Sequence, residues 1–353
     1  MHKDAIKKIV AESLNAPSGS NSQPWKFKID EDFLEIFAFP EYDHPILNYK
    51  NRGTWVAHGA LIENISISAH VSGYDTQINI FPNWPNTNIS AKIHFNPTAA
   101  KKDISVETIK NRCTNRKSYE DKTLSVIQKN DLIAILNEQQ KQRVILTEDK
   151  KKIDELCKLL CINEVVILEN KKLHELFFKE IVWEEKLARA GEKGLSLSTM
   201  ELAKPKQQAL RLVKNWAVIN FLNKFGFAKA IAKDNAKNFA KTPLMGIILA
   251  TDDERSFIEA GRTMERLWLK STEMKLSFQL IAGVMFFWQS LKDATIKTML
   301  EQSGHVSLLE KTYTDIKTIF NNPSDIVALA FRVGFSDGPS SLSYKKSLEE
   351  LIK

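Results

Sequence analysis

Two apolar helical stretches about two hundred residues apart carry the same polar punctuation, and a chain that repeats a core helix is restricted to folds with two related halves. Gly59-Ala60-Leu61-Ile62-Glu63-Asn64-Ile65 aligns with Gly261-Arg262-Thr263-Met264-Glu265-Arg266-Leu267 at one constant offset. An apolar extended segment follows each about ten residues later. A single Gly-x-x-x-Glu match is short, so its weight comes from agreement with the order of the polar motifs described below.

The chain opens as helix, loop and hairpin. A helix-patterned run over 3–14 stops at Pro17, and Trp25 begins an alternating segment with Phe27 and Ile29 on its own face. The return run puts Phe33, Phe37 and Phe39 on one side and Leu34 and Ile36 on the other, which is a β-hairpin pattern. Between helix and hairpin lies Ala16-Pro17-Ser18-Gly19-Ser20-Asn21-Ser22-Gln23-Pro24-Trp25. This loop offers small hydroxyls, backbone N–H groups and the amides of Asn21 and Gln23 to a polar planar ligand. The same residues also fit a Ser/Asx-rich turn anchored by a buried Trp25.

Further along, helical spacing predicts a helix over 57–73 with Gly73 at its C-terminus, then strands over 77–81 and 91–95 across a Pro/Asn-rich turn. A short helix over 105–112 has Glu107 near its start and Lys110 and Arg112 at its end. Ser125 and Gln128 form a capping-box pattern for a helix to about Gln139, and 143–147 is a strand candidate. Helices over 151–190 are interrupted near Asn163. Cys157 and Cys161 share one helical face there, read as small buried apolar residues and not as metal ligands. The hydroxyl- and Gly-containing stretch 191–205 reads as a loop of a length suited to covering a site. Residues 211–241 are strongly basic and helical. Their expected arrangement is a solvated face over a packed aromatic stripe, with a membrane-surface helix as the alternative. Leu244 to Ala250 and 326–333 are buried-strand candidates, separated in sequence by a long helix over 253–275.

Composition narrows the function. The 353 residues are 43% hydrophobic, enough for a sizeable core, and suit two or three domains or one large unit. The net charge of +7 comes from 50 basic and 43 acidic residues, a diluted excess that fits a phosphate-bearing small molecule as well as nucleic acid. Three cysteines argue against a disulfide framework and for a reducing compartment, and no residue cluster suggests a metal site. The first ten residues lack the apolar region of a signal peptide, and no uncharged apolar run reaches membrane-spanning length, so a cytoplasmic location is expected. No GxGxxG after a strand, no GxxxxGK[ST] and no GxSxG elbow is present.

The 16–25 decad resembles the PS-x-x-N-x-QPW loop of the nitroreductase superfamily, flavin enzymes in which that loop lies against the FMN. Arg112-Cys113-Thr114-Asn115-Arg116 resembles the same family's Arg-x-Ser/Thr-x-Arg/Lys stretch, as does Arg332-Val333-Gly334 followed by Ser343-Tyr344-Lys345-Lys346-Ser347-Leu348. In ordinary members the Arg-x-Ser/Thr-x-Arg/Lys helix precedes the PS-x-x-N loop, whereas here it follows by about ninety residues. That order resembles the single-chain, Acg-like branch, in which one polypeptide mimics the usual dimer. The resemblance implies an α+β, nitroreductase-like fold with a central, mainly antiparallel sheet flanked by helices. It would comprise two pseudo-repeat halves, 1–100 with the loop and 101–353 with the Arg motif, the cover and the C-terminal segment.

What the resemblance implies for chemistry is specific. Arg112 and Lys345 belong to the phosphate or ribityl side of FMN, Thr114 adds a hydroxyl beside Cys113, and Arg116 stands near the N1/O2 edge. Pro17, Ser18, Gly19 and Asn21 line the flank of the ring. Such a site needs cations for the phosphate and a positive group where negative charge develops on the ring. Without the loop, Lys110, Arg112, Arg116 and Lys117 would read as a solvated basic turn. Arg332 fits either a flavin role or a structural salt bridge. Lys345-Lys346 stands where the family often has Arg, and Lys275 interrupts the helix end whose backbone would meet flavin N5, leaving that donor unassigned. The implied activity is NAD(P)H-dependent reduction of nitro-aromatic, quinone or similar acceptors at FMN, with NAD(P)H binding transiently and no protein acid or base in the hydride steps. The alternative is a flavin-sequestering protein with little turnover. The expected partner is a small-molecule acceptor and neither nucleic acid nor membrane, and both halves in one chain allow a monomer.

Overall fold

The computed structural model describes residues 3–139, 143–189, 191, 193–322 and 324–353. Its first part runs α1 (Lys3–Ser13), β1 (Trp25–Ile29), β2 (Phe33–Ala38), α2 (Arg52–Val71), β3 (Tyr74–Ile80) and β4 (Ile89–Pro97). Then come α3 (Val106–Asn111), α4 (Val126–Gln139), β5 (Val144–Thr147), α5 (Lys150–Leu160), α6 (Ile162–Glu169), α7 (Lys171–Lys179) and β6 (Ile181–Val182). The chain continues through α8 (Glu185–Arg189), β7 (Leu195–Ser196), α9 (Lys204–Val213), α10 (Trp216–Asn223) and α11 (Phe227–Phe239). It ends with β8 (Leu244–Ala250), α12 (Glu254–Glu273), β9 (Ser277–Leu280), α13 (Gly283–Ser290), α14 (Ala294–Gln302), α15 (His305–Ile319), β10 (Ile326–Gly334) and α16 (Leu348–Leu351).

The fold mixes helices with antiparallel sheets. In place of one central sheet there are two of four strands, ordered β1-β2-β4-β3 and β5-β8-β10-β9, with every pairing antiparallel. A helix, two strands, a long helix and two more strands supply the first sheet. The same succession from α4, with α5 to α11 and α13 to α15 inserted, supplies the second in the matching spatial order. The sheets do not merge because α2, on β3 and β4, and α12, on the second sheet, pack against each other inside one core.

Glycine makes that helix pair close. A Cβ on Gly59 would lie 2.0 Å from the Ile258 carbonyl oxygen, and one on Gly261 would lie 2.1 Å from that of Val56. The contact is reciprocal at the offset that aligns the two stretches.

The apolar run of β8 is explained by burial on both faces. Leu244, Ile248 and Ala250 join the core around α2 and α12, whereas Met245, Ile247 and Leu249 join a second core with α5, α11 and α15. The first sheet has one such face only, and its outer side carries Glu35 between Lys28 and Lys92.

Helix starts follow their capping chemistry. Ser125 Oγ accepts from Gln128 N while Gln128 Oε1 accepts from Ser125 N, the reciprocal pair that the sequence predicts for α4. The α2 helix begins at Arg52, five residues before the apolar spacing signals it, because its first turn is held by Asn48 accepting from Thr54 N. Cys157 and Cys161 are fully buried, and Cys157 Sγ lies 3.5 Å from Met245 Sδ. Among the described residues no group of three His, Cys, Asp or Glu could hold a metal ion, and no helix is long and apolar enough to cross a membrane.

Candidate functional site

The loop after α1 is held in a conformation that ordinary turns avoid. Ser20, Asn21 and Gln23 all have left-handed backbone, at φ 45°, 54° and 49°. Each such non-glycine residue costs on the order of 1 kcal/mol or more, so three together require strong external support. That support comes from the C-terminal segment. Asn21 Nδ2 donates to Tyr344 O (2.8 Å), Lys346 N donates to Gln23 Oε1 (2.9 Å), and Lys345 Nζ donates to both Ala16 O and Asn21 Oδ1 (2.9 Å each). Ser18 Oγ accepts from Gln23 N at 2.9 Å, closing the turn from inside.

The exit of α3 meets the same loop. Arg112 Nη2 and Nε donate to Asn15 O at 2.6 and 3.2 Å, and Asn15 Nδ2 donates back to Arg112 O at 2.9 Å. Asn115 N donates to Phe278 O and its side chain to Ser277 Oγ and Asp337 O, which fixes the motif to β9 and the C-terminal loop. Arg116 Nη1 donates to Thr199 O at 3.0 Å, reaching the 191–205 stretch. That stretch is less of a loop than its composition suggests: β7 pairs with β6 in parallel, a 3-10 turn spans Leu197–Met200, and α9 begins at Lys204.

These segments enclose a cavity of about 250 Å³ lined by Pro17, Ser18, Asn21, Arg112, Cys113, Thr114, Arg116 and Lys345, together with Asn15, Ser20, Leu195, Thr199 and Ser341 to Ser343. Gly19 is the exception among the nine sequence candidates, standing off the cavity wall, where the nearest neighbour of an added Cβ would be Asp43 Oδ1 at 3.7 Å. Asn15 and Lys345 also line an open groove of about 630 Å³ on the far side.

Charge around the cavity is not balanced. Arg112 is 5% exposed, lies over the Trp268 ring and has the buried Glu265 carboxylate 3.3 Å from its Nε. Burial pushes the Glu265 carboxyl up to about 7 against the pull of Arg112 and of the Asn64 side chain. Burial, reinforced by repulsion from Arg112, brings Lys345 down to about 7, and burial brings Arg116 down to about 10 with only Glu201 opposing. Arg112, Arg116 and the half-charged Lys345 therefore face one cavity, with Glu265, half-ionised near pH 7, and Glu201 opposing them, and the remaining positive excess favours an anion in the cavity.

Sequence reasoning did not pick out Asn15, Ser20 or Leu195, and it noticed Glu265 only as part of the helix echo. Arg332 lies elsewhere. It is fully buried, donates to Gln279 Oε1 and Lys117 O, and stacks on Tyr119 and Phe239, so it is a structural residue held by rings and carbonyls in place of the expected carboxylate.

No family model matches the chain. It is 20% identical over 293 residues to the uncharacterized protein MT1398 of Mycobacterium tuberculosis, which covers 81% of this chain and 40% of that protein. The chain thus spans about two fifths of the length of that curated relative. Nitroreductases are among the solved structures similar to it. One is the FMN-dependent nitroreductase NfnB of Mycobacterium smegmatis in complex with NADPH, at 11% identity and TM-score 0.39, covering 70% of this chain and 96% of that one. Another is a nitroreductase with bound FMN from Bacteroides fragilis, at 12% identity and TM-score 0.32, covering 70% and 95%.

Proposed function

We propose that this chain is an FMN-binding oxidoreductase of nitroreductase type, in which two related halves of one polypeptide build a single flavin site. The observation that carries the reading is the convergence on one cavity of the left-handed 16–25 loop, the Arg112 to Arg116 stretch and Lys345, with more positive charge than the protein neutralises. The residues fit a phosphate-bearing ligand, since a dianionic phosphate beside Arg112 and Lys345 offsets the burial that lowers both. Arg112, Thr114 and Lys345 would hold the phosphate and ribityl side, with Cys113 in the wall between them. Arg116 would stand by the N1/O2 edge and Pro17, Ser18 and Asn21 by the ring, while Gly19 stands off the cavity wall and takes no such place.

Bound there, FMN supplies hydride transfer at N5 between a nicotinamide and an electrophilic acceptor of the nitro-aromatic or quinone class. The chain's part is to orient, neutralise and exclude water. The cavity volume falls below the roughly 300–1,000 Å³ of ordinary ligand pockets, so binding a ligand of this size would require the cover formed by Leu195 to Thr199 to move outward. Support for the two-halves reading is the matching strand order of the two sheets and the reciprocal Gly59 and Gly261 contact.

A second reading, flavin sequestration with little turnover, is favoured by one observation: Arg116 is tied to Thr199 O, so the cover is latched to the site it closes. Stopped-flow reduction separates the two. Bleaching of reconstituted flavin within seconds of adding NADH or NADPH supports the oxidoreductase. No bleaching over many minutes with either, while dithionite still reduces the flavin, supports sequestration.

A further inference from the structure

Residues 204–241 hold nine of the chain's 50 basic residues and one of its 43 acidic ones, so the remainder of the chain is close to electroneutral and the net +7 resides in this segment. The single acid, Asp234, is paired with Lys206 at 2.8 Å. Composition predicts a packed aromatic stripe beneath these lysines, and the structure divides that stripe in two. The inner part packs: Ile219, Val213 and Ala228 are buried with Leu168, Phe178 and Ile181, and Trp216 meets the His174 ring.

The outer part does not. Leu212 is 68% exposed, Val218 39%, Phe221 57% and Phe225 78%. Phe221 and Phe225 contact each other, with ring centroids 5.4 Å apart, and both point away from the cluster that anchors the helix. Short α10 is thus apolar on two sides, one covered by the protein and one bare. A helix of that kind at a surface has a second apolar environment to meet. The same segment carries the exposed side chains of Arg211, Lys214, Lys224 and Lys229, of which Arg211 and Lys214 lie over the Trp183 ring and Lys224 precedes Phe225 directly in sequence.

We propose that this face, Leu212, Val218, Phe221 and Phe225 on the most basic segment of the chain, docks the protein on an anionic lipid surface. The chemistry selects this occupant. Aromatic and aliphatic side chains flanked by lysines match the boundary between acyl chains and headgroups, where the apolar part is buried and the cations meet lipid phosphate. Nucleic acid would engage the cations and leave Leu212 and Val218 without a role, and a second copy of the chain would bring like charges together. The proposal departs from the expectation of no membrane partner at this one surface.

Sedimentation of the full chain with vesicles tests it. The protein pellets with vesicles of phosphatidylcholine mixed with phosphatidylglycerol and stays in solution with phosphatidylcholine alone. Raising salt from about 0.1 M to about 1 M shortens the Debye length from about 10 Å to about 3 Å and releases it. Combined Phe221→Ser and Phe225→Ser substitution weakens partitioning by about tenfold or more, as does combined Lys224→Glu and Lys229→Glu, with circular dichroism unchanged. Reversing charge at Lys297 and Lys311, on α14 and α15, leaves partitioning as it was. Failure to pellet with anionic vesicles at low salt overturns the proposal. So does pelleting that the phenylalanine pair does not alter, or a dimer in size-exclusion chromatography that the same pair abolishes.

Discussion

Gly59 and Gly261 face each other across the α2–α12 crossing, the Cα of Gly261 lying 2.9 Å from where a Cβ on Gly59 would sit. Neither position has room for a methyl group, because the obstacles are backbone atoms of the opposite helix and cannot rotate away. Gly59→Ala and Gly261→Ala are each expected to destabilise the protein by about 1–3 kcal/mol or more, read as an earlier midpoint in urea unfolding. An unchanged midpoint for either would mean that the helices do not cross at these residues.

Four residues on from each glycine stands a buried glutamate, and the two have opposite surroundings. Burial raises the Glu63 pKa, but Arg262 and Arg266, donating to it at 3.0 and 2.5 Å, outweigh burial and hold it below the ordinary value of 4.5. A depressed carboxylate pKa contributes stability that is present above pH 4.5 and lost as pH falls through the lower, folded-state value. Glu63→Gln should cost about 1–3 kcal/mol at neutral pH, because Arg262 and Arg266 lose the carboxylate they share and keep only Glu259 and Asp103. It should also flatten the loss of stability below pH 4.5, measured by denaturation at several pH values.

Lys345 makes anion binding pH-dependent. Its pKa in the free protein is about 7, below the ordinary 10.5, and an anion beside it raises that value, so binding takes up a proton above pH 7. Affinity for FMN, followed by quenching of flavin fluorescence, is expected to be greatest below pH 7 and to fall by up to about tenfold per pH unit above it. Riboflavin, which lacks the phosphate, should show a shallower slope, and Lys345→Met should reduce the dependence to the part left by Glu265, whose carboxyl titrates over the same range.

Arg112 and Arg116 separate in their effects. Arg112 braces Asn15 and faces Glu265, so Arg112→Ala lowers stability as well as weakening FMN by about tenfold to a hundredfold. Arg116 has Thr199 O as its hydrogen-bond partner, and Arg116→Ala should weaken FMN while leaving the thermal midpoint nearly unchanged. Binding titrations paired with thermal melts of the two variants check this.

Much of the framework is legible in the sequence because it rests on local chemistry. The hairpin at Trp25, the α4 capping box, the continuous apolar run of β8 and the Gly–Glu echo all name elements that the structure contains at nearly those bounds. Eight of nine candidate residues reach one cavity, since the decad and the Arg112 stretch carried recognisable spacing. What sequence could not show depends on long-range packing. The division into two sheets follows from which helices wedge between them. The pairing of β6 with β7 turns a nominal loop into an ordered cover, and its two-residue strands leave no periodicity to read. Glu265 is inconspicuous as one glutamate among many until Arg112, over one hundred and fifty positions earlier, folds against it.

Flavin stoichiometry tests the central claim most directly. After incubation with excess FMN and removal of unbound ligand, the absorbance spectrum should show one FMN per chain, because the 16–25 loop, the Arg112 to Arg116 stretch and Lys345 together form one cavity. Arg116→Ala should retain less under the same washing. Two flavins per chain, none after reconstitution, or equal retention by the variant would contradict the account.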